Sequence, residues 1–302
     1  MKGELLVVSR EVESAVRVRR PVVALETTIV AHGFPPGIGL ELGRECERRI
    51  RAAGAVPATV GVLDGAVRVG LTGAELERVA EAGPEARKIG PRDLAACAVR
   101  GEIGATTVGG TLAACRMAGI GFMSTGGIGG VHRGYDSRPD ISADLAELAR
   151  VEVLVVCSGA KSLLDVPATA ELLETLGVPV VGWRTDELPL FYAAHGGPPV
   201  SARVESAEEA ARLAHAHWRL GRRSALVLAR PPEDGLDDLE PLIERALAEA
   251  EARGITGPAV TPFALAYLHE ASGGRTLEVN RRLAADNAAL AAEVAVAYTR
   301  LA

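Results

Sequence analysis

Short runs of β-branched and aliphatic residues alternate with amphipathic stretches from one end of the chain to the other. The runs Val22–Leu25, Pro57–Leu63, Thr106–Val108, Gly121–Ser124, Val153–Cys157, Val178–Trp183 and Ala225–Leu228 are bounded by turn residues and predict strands. Between them apolar residues recur at spacings of three and four, the period of a helix with one buried face. That pattern predicts helices over Leu40–Ala53, Gly73–Ala82, Pro91–Arg100, Gly110–Ala118, Ser142–Ala149, Ser162–Leu164, Ala168–Leu176, Ala207–Leu220, Leu239–Arg253, Pro262–Ala271 and Leu277–Ala302. Such alternation predicts an α/β fold, a mostly parallel sheet with helices on both faces. No Ser/Gly/Pro-rich linker, shift of composition or fixed-period repeat divides it, so one domain over residues 1–302 is expected. Arg184–Arg203, with Thr185, Pro189, His195, Gly196, Gly197, Pro198 and Pro199, is the longest irregular stretch and is expected to be a lid or an oligomer contact.

Composition sharpens this picture. Hydrophobic residues make up 48% of the chain and aromatics only 3%, so the core must be built from Val, Leu, Ile and Ala, as in buried parallel strands. A net charge of −6 with no long Lys/Arg tract excludes a chain that holds nucleic acid by neutralising many phosphates, and leaves room for a small anionic ligand. Cys46, Cys97, Cys115 and Cys157 form no Cys-x-x-Cys pair and have no His at zinc-ligand spacing, so they read as reduced, buried thiols. Charges of both signs interrupt Met1–Arg20, unlike a signal peptide, and no later stretch approaches membrane-spanning length. A cytoplasmic protein with no membrane partner is expected.

Candidate chemistry clusters where strands give way to turns. The run Val153–Val156 leads through Cys157-Ser158-Gly159-Ala160-Lys161-Ser162 into a helical pattern, which puts Lys161 at the carboxyl edge of the sheet, where α/β ligands bind. Lys161 is a candidate nucleophile there; a solvated lysine in a first helical turn is the equal alternative. Ser124-Thr125-Gly126-Gly127-Ile128-Gly129-Gly130-Val131-His132-Arg133-Gly134 also follows a strand, and is neither a dinucleotide fingerprint nor a P-loop. His132 and Arg133 add donors suited to a phosphate or a sugar hydroxyl. Asp140-Ile141-Ser142-Ala143-Asp144 reads most simply as a helix cap, and alternatively as oxygen ligands for a hard divalent cation. Glu26 closes the first strand, well placed for proton transfer or for pairing with a base. Lys88, Arg92 and Asp93 form a further polar cluster, and Asn280 and Asn287 lie seven residues apart, nearly on one helix face.

Taken together these blocks resemble the pseudouridine-5'-phosphate glycosidase family, also called indigoidine synthase A-like proteins. The resemblance rests on Ala24-Leu25-Glu26-Thr27-Thr28-Ile29, Gly54-Ala55-Val56-Pro57-Ala58-Thr59, Gly104-Ala105-Thr106-Thr107-Val108, Ser124 to Gly134, Asp140 to Asp144 and Ser158 to Ser162. Thr261-Pro262-Phe263 and Asn280 with Asn287 extend it to the tail, so it covers almost the whole chain. It implies a three-layer α/β/α fold around a mixed sheet, a homotrimer, and Mn2+ or another divalent cation as cofactor. By position it makes Lys161 the Schiff-base nucleophile, Glu26 the proton donor and Asp140 the metal ligand. Lys88, Val108 and Ser142, Ala143 and Asp144 match positions that contact substrate, and Asn280 matches a polar residue near the base, with Asn287 beside it. His132 and Arg133 are assigned to phosphate on their chemistry. Thr27, where serine is common, and Gly90-Pro91, where a more polar pair is usual, depart from the pattern without removing a reacting group.

The reaction so implied is reversible cleavage of the carbon–carbon glycosidic bond of pseudouridine 5'-phosphate to uracil and ribose 5-phosphate. A C-glycoside must place the departing electrons on carbon, a poor leaving group. A lysine amine that captures the anomeric carbon after ring opening gives an iminium, and a proton delivered to the base carbon then permits cleavage. Two other readings follow from the residues alone. A ribokinase-like kinase would need an Asp inside its Gly-rich turn, and Gly126–Gly130 has none. A non-catalytic sugar-phosphate sensor would use Lys161 for binding only.

Overall fold

Four-residue apolar runs buried at every position are covered on both faces, and Val22–Leu25 and Leu154–Cys157 are two of them. In a computed structural model that describes residues 4–35, 37–137 and 139–301, they are the inner strands of an eleven-stranded mixed sheet. Its larger wing comprises β2 (Val22–Leu25), β3 (Val56–Leu63), β7 (Phe122–Ser124), β9 (Leu154–Cys157), β11 (Val180–Trp183), β12 (Ala202–Val204) and β13 (Leu226–Ala229). They run in the order β3-β2-β7-β9-β13-β11-β12 with every pair parallel.

The long strand β3 joins this wing to a smaller, mixed one. Its first half pairs with β2, and from Val60 onward it pairs antiparallel with β4 (Ala66–Val69) and with β6 (Gly104–Thr106). Strands β1 (Leu6–Val8) and β5 (Arg87–Ile89) extend the wing by parallel pairing. The β3–β4 hairpin turns through Asp64 and Gly65, both at positive φ, the conformation an Asp-Gly hairpin turn requires. A separate antiparallel pair, β8 (Val131–His132) with β10 (Leu164–Asp165), lies beside the sheet.

Alternate strand residues feed two cores. Ala24, Met123, Val155 and Val227 face one layer of helices, α1 (Arg10–Arg17), α5 (Leu94–Arg100), α6 (Val108–Ala118), α7 (Ala143–Leu148) and α8 (Val166–Thr175). Val23, Leu25, Leu154, Val156 and Leu228 face the other, α3 (Ile38–Ala52), α9 (Ala207–Arg219), α10 (Glu240–Ala252), α11 (Val260–Ala271) and α12 (Arg275–Thr299). Two further helices, α2 (Thr28–His32) and α4 (Gly73–Ala82), pack in a third cluster beside the smaller wing. The result is the expected three-layer α/β/α architecture. All four cysteines are free and buried, and burial pushes Cys46, Cys115 and Cys157 up to about 12, so these thiols stay protonated. Among the described residues no helix is long and apolar enough to cross a membrane.

Several boundaries differ from the pattern-based expectation, each for a local reason. The run Thr106–Val108 divides: β6 ends at Thr106, Thr107 caps a helix with its side chain, and Val108 is the first residue of α6. Pro91–Asp93 is a 3-10 turn ahead of α5. Ser162–Leu164 is not helical, because the chain turns, pairs as β10 and starts α8 only after Asp165 supplies the cap. The final helix begins at Arg275, and Ala302 lies outside the described residues. The irregular stretch 184–203 is no detached lid: Leu188, Phe191 and Tyr192 are buried, and the Phe191 N–H donates to Ser158 O at 3.0 Å.

Candidate active site

In a parallel wing the strand ends gather at one edge, and there β2, β7 and β9 deliver their turns side by side. Glu26, directly after β2, is only 6% exposed. Its carboxylate accepts a hydrogen bond from Thr125 Oγ1, the first residue beyond β7. Burial raises the Glu26 pKa above the usual carboxylate range, and Asp144 adds to the rise. The nearby charge of Lys161, the Thr125 hydrogen bond and Lys88 oppose it without cancelling it.

Lys161 follows β9 on a turn sewn to the glycine-rich turn after β7. Ser158 N–H donates to Gly126 O at 2.8 Å, Ile128 N–H to Gly159 O at 3.0 Å and Lys161 N–H to Ile128 O at 3.1 Å. Gly159 sits at φ +85°, and a Cβ there would fall 1.9 Å from the Pro189 carbonyl oxygen, so geometry and space both require glycine. Lys161 therefore stands on braced, non-helical backbone rather than in the first turn of a helix.

Asp144 ties the far side together. It is 4% exposed, and its two carboxylate oxygens accept from Gly109 N–H at 2.7 Å and Gly129 N–H at 2.9 Å, clamping the start of α6 to the glycine turn. Ser142 caps α7 by accepting from Asp144 N–H. Lys88 comes from β5. Burial lowers its pKa and so does Lys161, while Asp144, Glu26 and Asp140 support its charge. His132 Nδ1 lies 3.8 Å from Asp140 Oδ2, yet burial holds the imidazole below its ordinary pKa.

These groups border one cavity of about 390 Å³, lined by Glu26, Lys88, Val108, His132, Asp140, Ser142, Ala143, Asp144, Lys161 and Asn280. Two expected site residues are not in its lining. Arg133 turns to Glu240, and its guanidinium also donates to Ser162 O at 2.9 Å and Leu164 O at 3.3 Å, so it staples loops instead of facing an anion. Asn287, fully buried, donates from Nδ2 to Thr125 O at 3.0 Å and Ser158 Oγ at 3.1 Å. It braces the two turns that carry Thr125 and Lys161.

The cavity is also lined by Thr125, Gly129, Phe191 and His32, to which the sequence pattern assigned no role. Thr125 and Gly129 lie inside the quoted glycine block, but which donor meets which carboxylate depends on strand order. Phe191 and His32 arrive from an irregular segment and a five-residue helix, neither of which has a readable period.

Asp140 is a candidate anchor for a divalent cation. Among the described residues no three His, Cys, Asp or Glu side chains converge as a ligand set. Asp140, with 36% of its side chain exposed at the cavity, can supply one hard oxygen to an ion that keeps most of its water, and the residues fit that arrangement.

Comparison with known proteins agrees with this geometry. The model of the family described as indigoidine synthase A-like protein matches residues 11–297. The pseudouridine-5'-phosphate glycosidase of Sorangium cellulosum is 48% identical over 299 residues, covering 98% of this chain and 94% of that one. That of Escherichia coli is 45% identical, covering 99% and 97%. Among solved structures, the prealnumycin C-glycosynthase AlnA in complex with ribulose 5-phosphate superposes with a TM-score of 0.90 at 40% identity, covering 99% of this chain and 98% of that one. An indigoidine synthase A-like protein from Thermotoga maritima gives 0.88 at 36% identity, covering 99% of each chain. With its fold and nearly its whole length shared, the chain belongs to the indigoidine synthase A-like family.

Proposed function

We propose that this protein reversibly cleaves the C–C glycosidic bond of pseudouridine 5'-phosphate, giving uracil and ribose 5-phosphate through an imine on Lys161. The observation that carries the reading is one cavity holding a lysine on braced backbone together with a buried glutamate whose pKa is raised. The relatives named as pseudouridine-5'-phosphate glycosidases support the substrate. A C-glycosynthase of the same fold with a pentulose phosphate bound supports both the bond type and the sugar class.

The steps balance on this chain's own groups. Lys161 Nζ bonds to C1' through its lone pair as the C1'–O4' bond opens, and protonated Glu26 gives its proton to O4'. The new ammonium returns a proton to Glu26. Glu26 then protonates the base carbon C5, the C1'–C5 electron pair restores the ring double bond of uracil, and the nitrogen lone pair closes the C1'=N bond. Water hydrolyses the imine, releasing ribose 5-phosphate and the free amine.

Lys88, Val108 and the Ser142–Asp144 segment contact the substrate, with His132 donating to its phosphate. Binding energy gained there, remote from the reacting carbon, positions C1' over Lys161. Asn280 meets the base. A divalent cation on Asp140, manganese by the family's implication, would offset negative charge and orient oxygens. We place the protein in the cytoplasm as a homotrimer.

The test is to incubate the purified protein with manganese and pseudouridine 5'-phosphate and to follow both products, beside Lys161→Ala. Release of uracil and ribose 5-phosphate by the wild type alone is expected. Absence of release from folded protein would refute the reading. Pseudouridine without its phosphate should turn over far more slowly, and comparable rates would remove the phosphate subsite from the account.

A further inference from the structure

We propose that Phe191 is a positioning residue for Lys161: its turn grips the backbone on both sides of that lysine, and its ring fixes the glycine turn to which the lysine is tied. The inference rests on the reaction proposed above, in which Lys161 is the nucleophile, and gives a role to a residue that has none so far.

Among the described residues four other than glycine have positive φ: Arg19, Asp64, Arg184 and Phe191. The first three are exposed, whereas Phe191, at φ +65°, is 2% exposed and borders the cavity. Tyr192 N–H donates to Leu190 O at 2.8 Å, which closes a γ-turn around Phe191. A γ-turn with positive φ at its centre is the rare, strained form, and a bulky side chain makes it costlier. Strain of this kind persists only where the surroundings over-determine it.

The surroundings here are the two turns of the site. Phe191 N–H donates to Ser158 O at 3.0 Å, and Leu190 O accepts from Ser162 Oγ at 2.6 Å, so the γ-turn is bonded to Ser158 before Lys161 and to Ser162 after it. The ring lies on the glycine turn: a Cβ on Gly127 would fall 2.6 Å from Phe191 Cδ2, and one on Gly126 would fall 3.5 Å from Cε2. Gly127 is therefore glycine because the ring occupies its side-chain position. Lys161 N–H in turn donates to Ile128 O, on the next residue of that turn. Tyr192 packs edge-to-face against the ring, with centroids 4.7 Å apart, and backs it. One side chain in a forced conformation thus sets the spacing between the turns after β7 and β9, and with it the reach of Lys161 Nζ toward C1'.

The test compares Phe191→Ala, Phe191→Gly and Phe191→Leu. Alanine and glycine both remove the ring, but glycine accepts positive φ without cost, so the Gly variant should melt above the Ala variant. Positioning predicts that this gain in stability recovers no activity. Both variants should lose roughly ten- to hundred-fold in kcat on pseudouridine 5'-phosphate with KM within about threefold of wild type. With saturating ribose 5-phosphate they should form the borohydride-reducible adduct more slowly by a similar factor. Leucine refills part of the ring's volume and should recover part of kcat; the Gly and Leu variants carry the comparison if the Ala variant does not fold. A kcat at the wild-type level, or one that rises with melting temperature from Ala to Gly, overturns this inference alone. Wild-type protein that releases no product, or releases it without an adduct at Lys161, overturns the reaction and the inference with it.

Discussion

In the proposed reaction Glu26 and Lys161 divide the chemistry because their surroundings differ. Glu26 is enclosed, and burial favours its neutral acid form. A pKa raised above the unfolded value means that the folded protein binds the extra proton. The stability this contributes is present below the unfolded pKa and is lost as pH rises through the folded pKa. Glu26→Gln should therefore melt at or above the wild-type temperature at neutral and alkaline pH while losing at least about 100-fold in turnover. A lower melting temperature there, with activity retained, would remove Glu26 as the proton donor. The alkaline limb of the wild-type rate profile should reflect a carboxyl titrating above the ordinary glutamate range. The sequence blocks around them brought both residues forward as candidates, and the structure puts both on one cavity. The sequence alone did not show Thr125 on the Glu26 carboxylate or Arg133 on Glu240. Those contacts join residues 99 and 107 positions apart, and strand order creates them.

At the scale of elements, the site depends on turns held to one another. Asp144 accepts from two backbone N–H groups in different turns, so Asp144→Ala leaves both without a buried acceptor. A loss of about 2–4 kcal/mol is expected in denaturant unfolding, together with reduced activity; a loss under about 0.5 kcal/mol would mean the clamp is dispensable. Gly159→Ala meets both a positive φ and the Pro189 carbonyl, and should impair folding or turnover even though it adds one methyl group. Such contacts explain what was readable. Long periodic segments such as α3, α9 and α12 follow from spacing alone. Strands β1, β4 and β5, which extend the smaller wing, escaped the pattern, although Asp64-Gly65 between two apolar runs is a hairpin signal that would have marked β4. Lys161 was expected at a helix start because Gly159 and Ser162 look like a strand-to-helix turn. The intervening β10 exists only through its pairing with β8.

For the whole molecule, the sheet gathers residues from separate parts of the sequence at one edge, and α12 closes the site from behind. Asn280 on that helix lines the cavity, and Asn287, two turns on, braces the turns before it. Asn287→Leu should cost about 1–3 kcal/mol and lower kcat more than it raises KM, since it loosens the turns bearing Thr125 and Lys161 without touching the ligand. An effect on KM alone would place Asn287 in contact with substrate. The α/β/α layering was legible from the alternation of apolar runs and amphipathic stretches, because both faces of the larger wing must be covered.

The most direct test of the central claim is to trap the imine. Protein mixed with ribose 5-phosphate and reduced with borohydride should gain the mass of one reduced pentose phosphate, mapped by peptide sequencing to Lys161 and missing from Lys161→Ala. An unmodified Lys161, in protein that releases uracil from pseudouridine 5'-phosphate under the same conditions, would contradict the account and leave the bond to be broken without a covalent lysine intermediate.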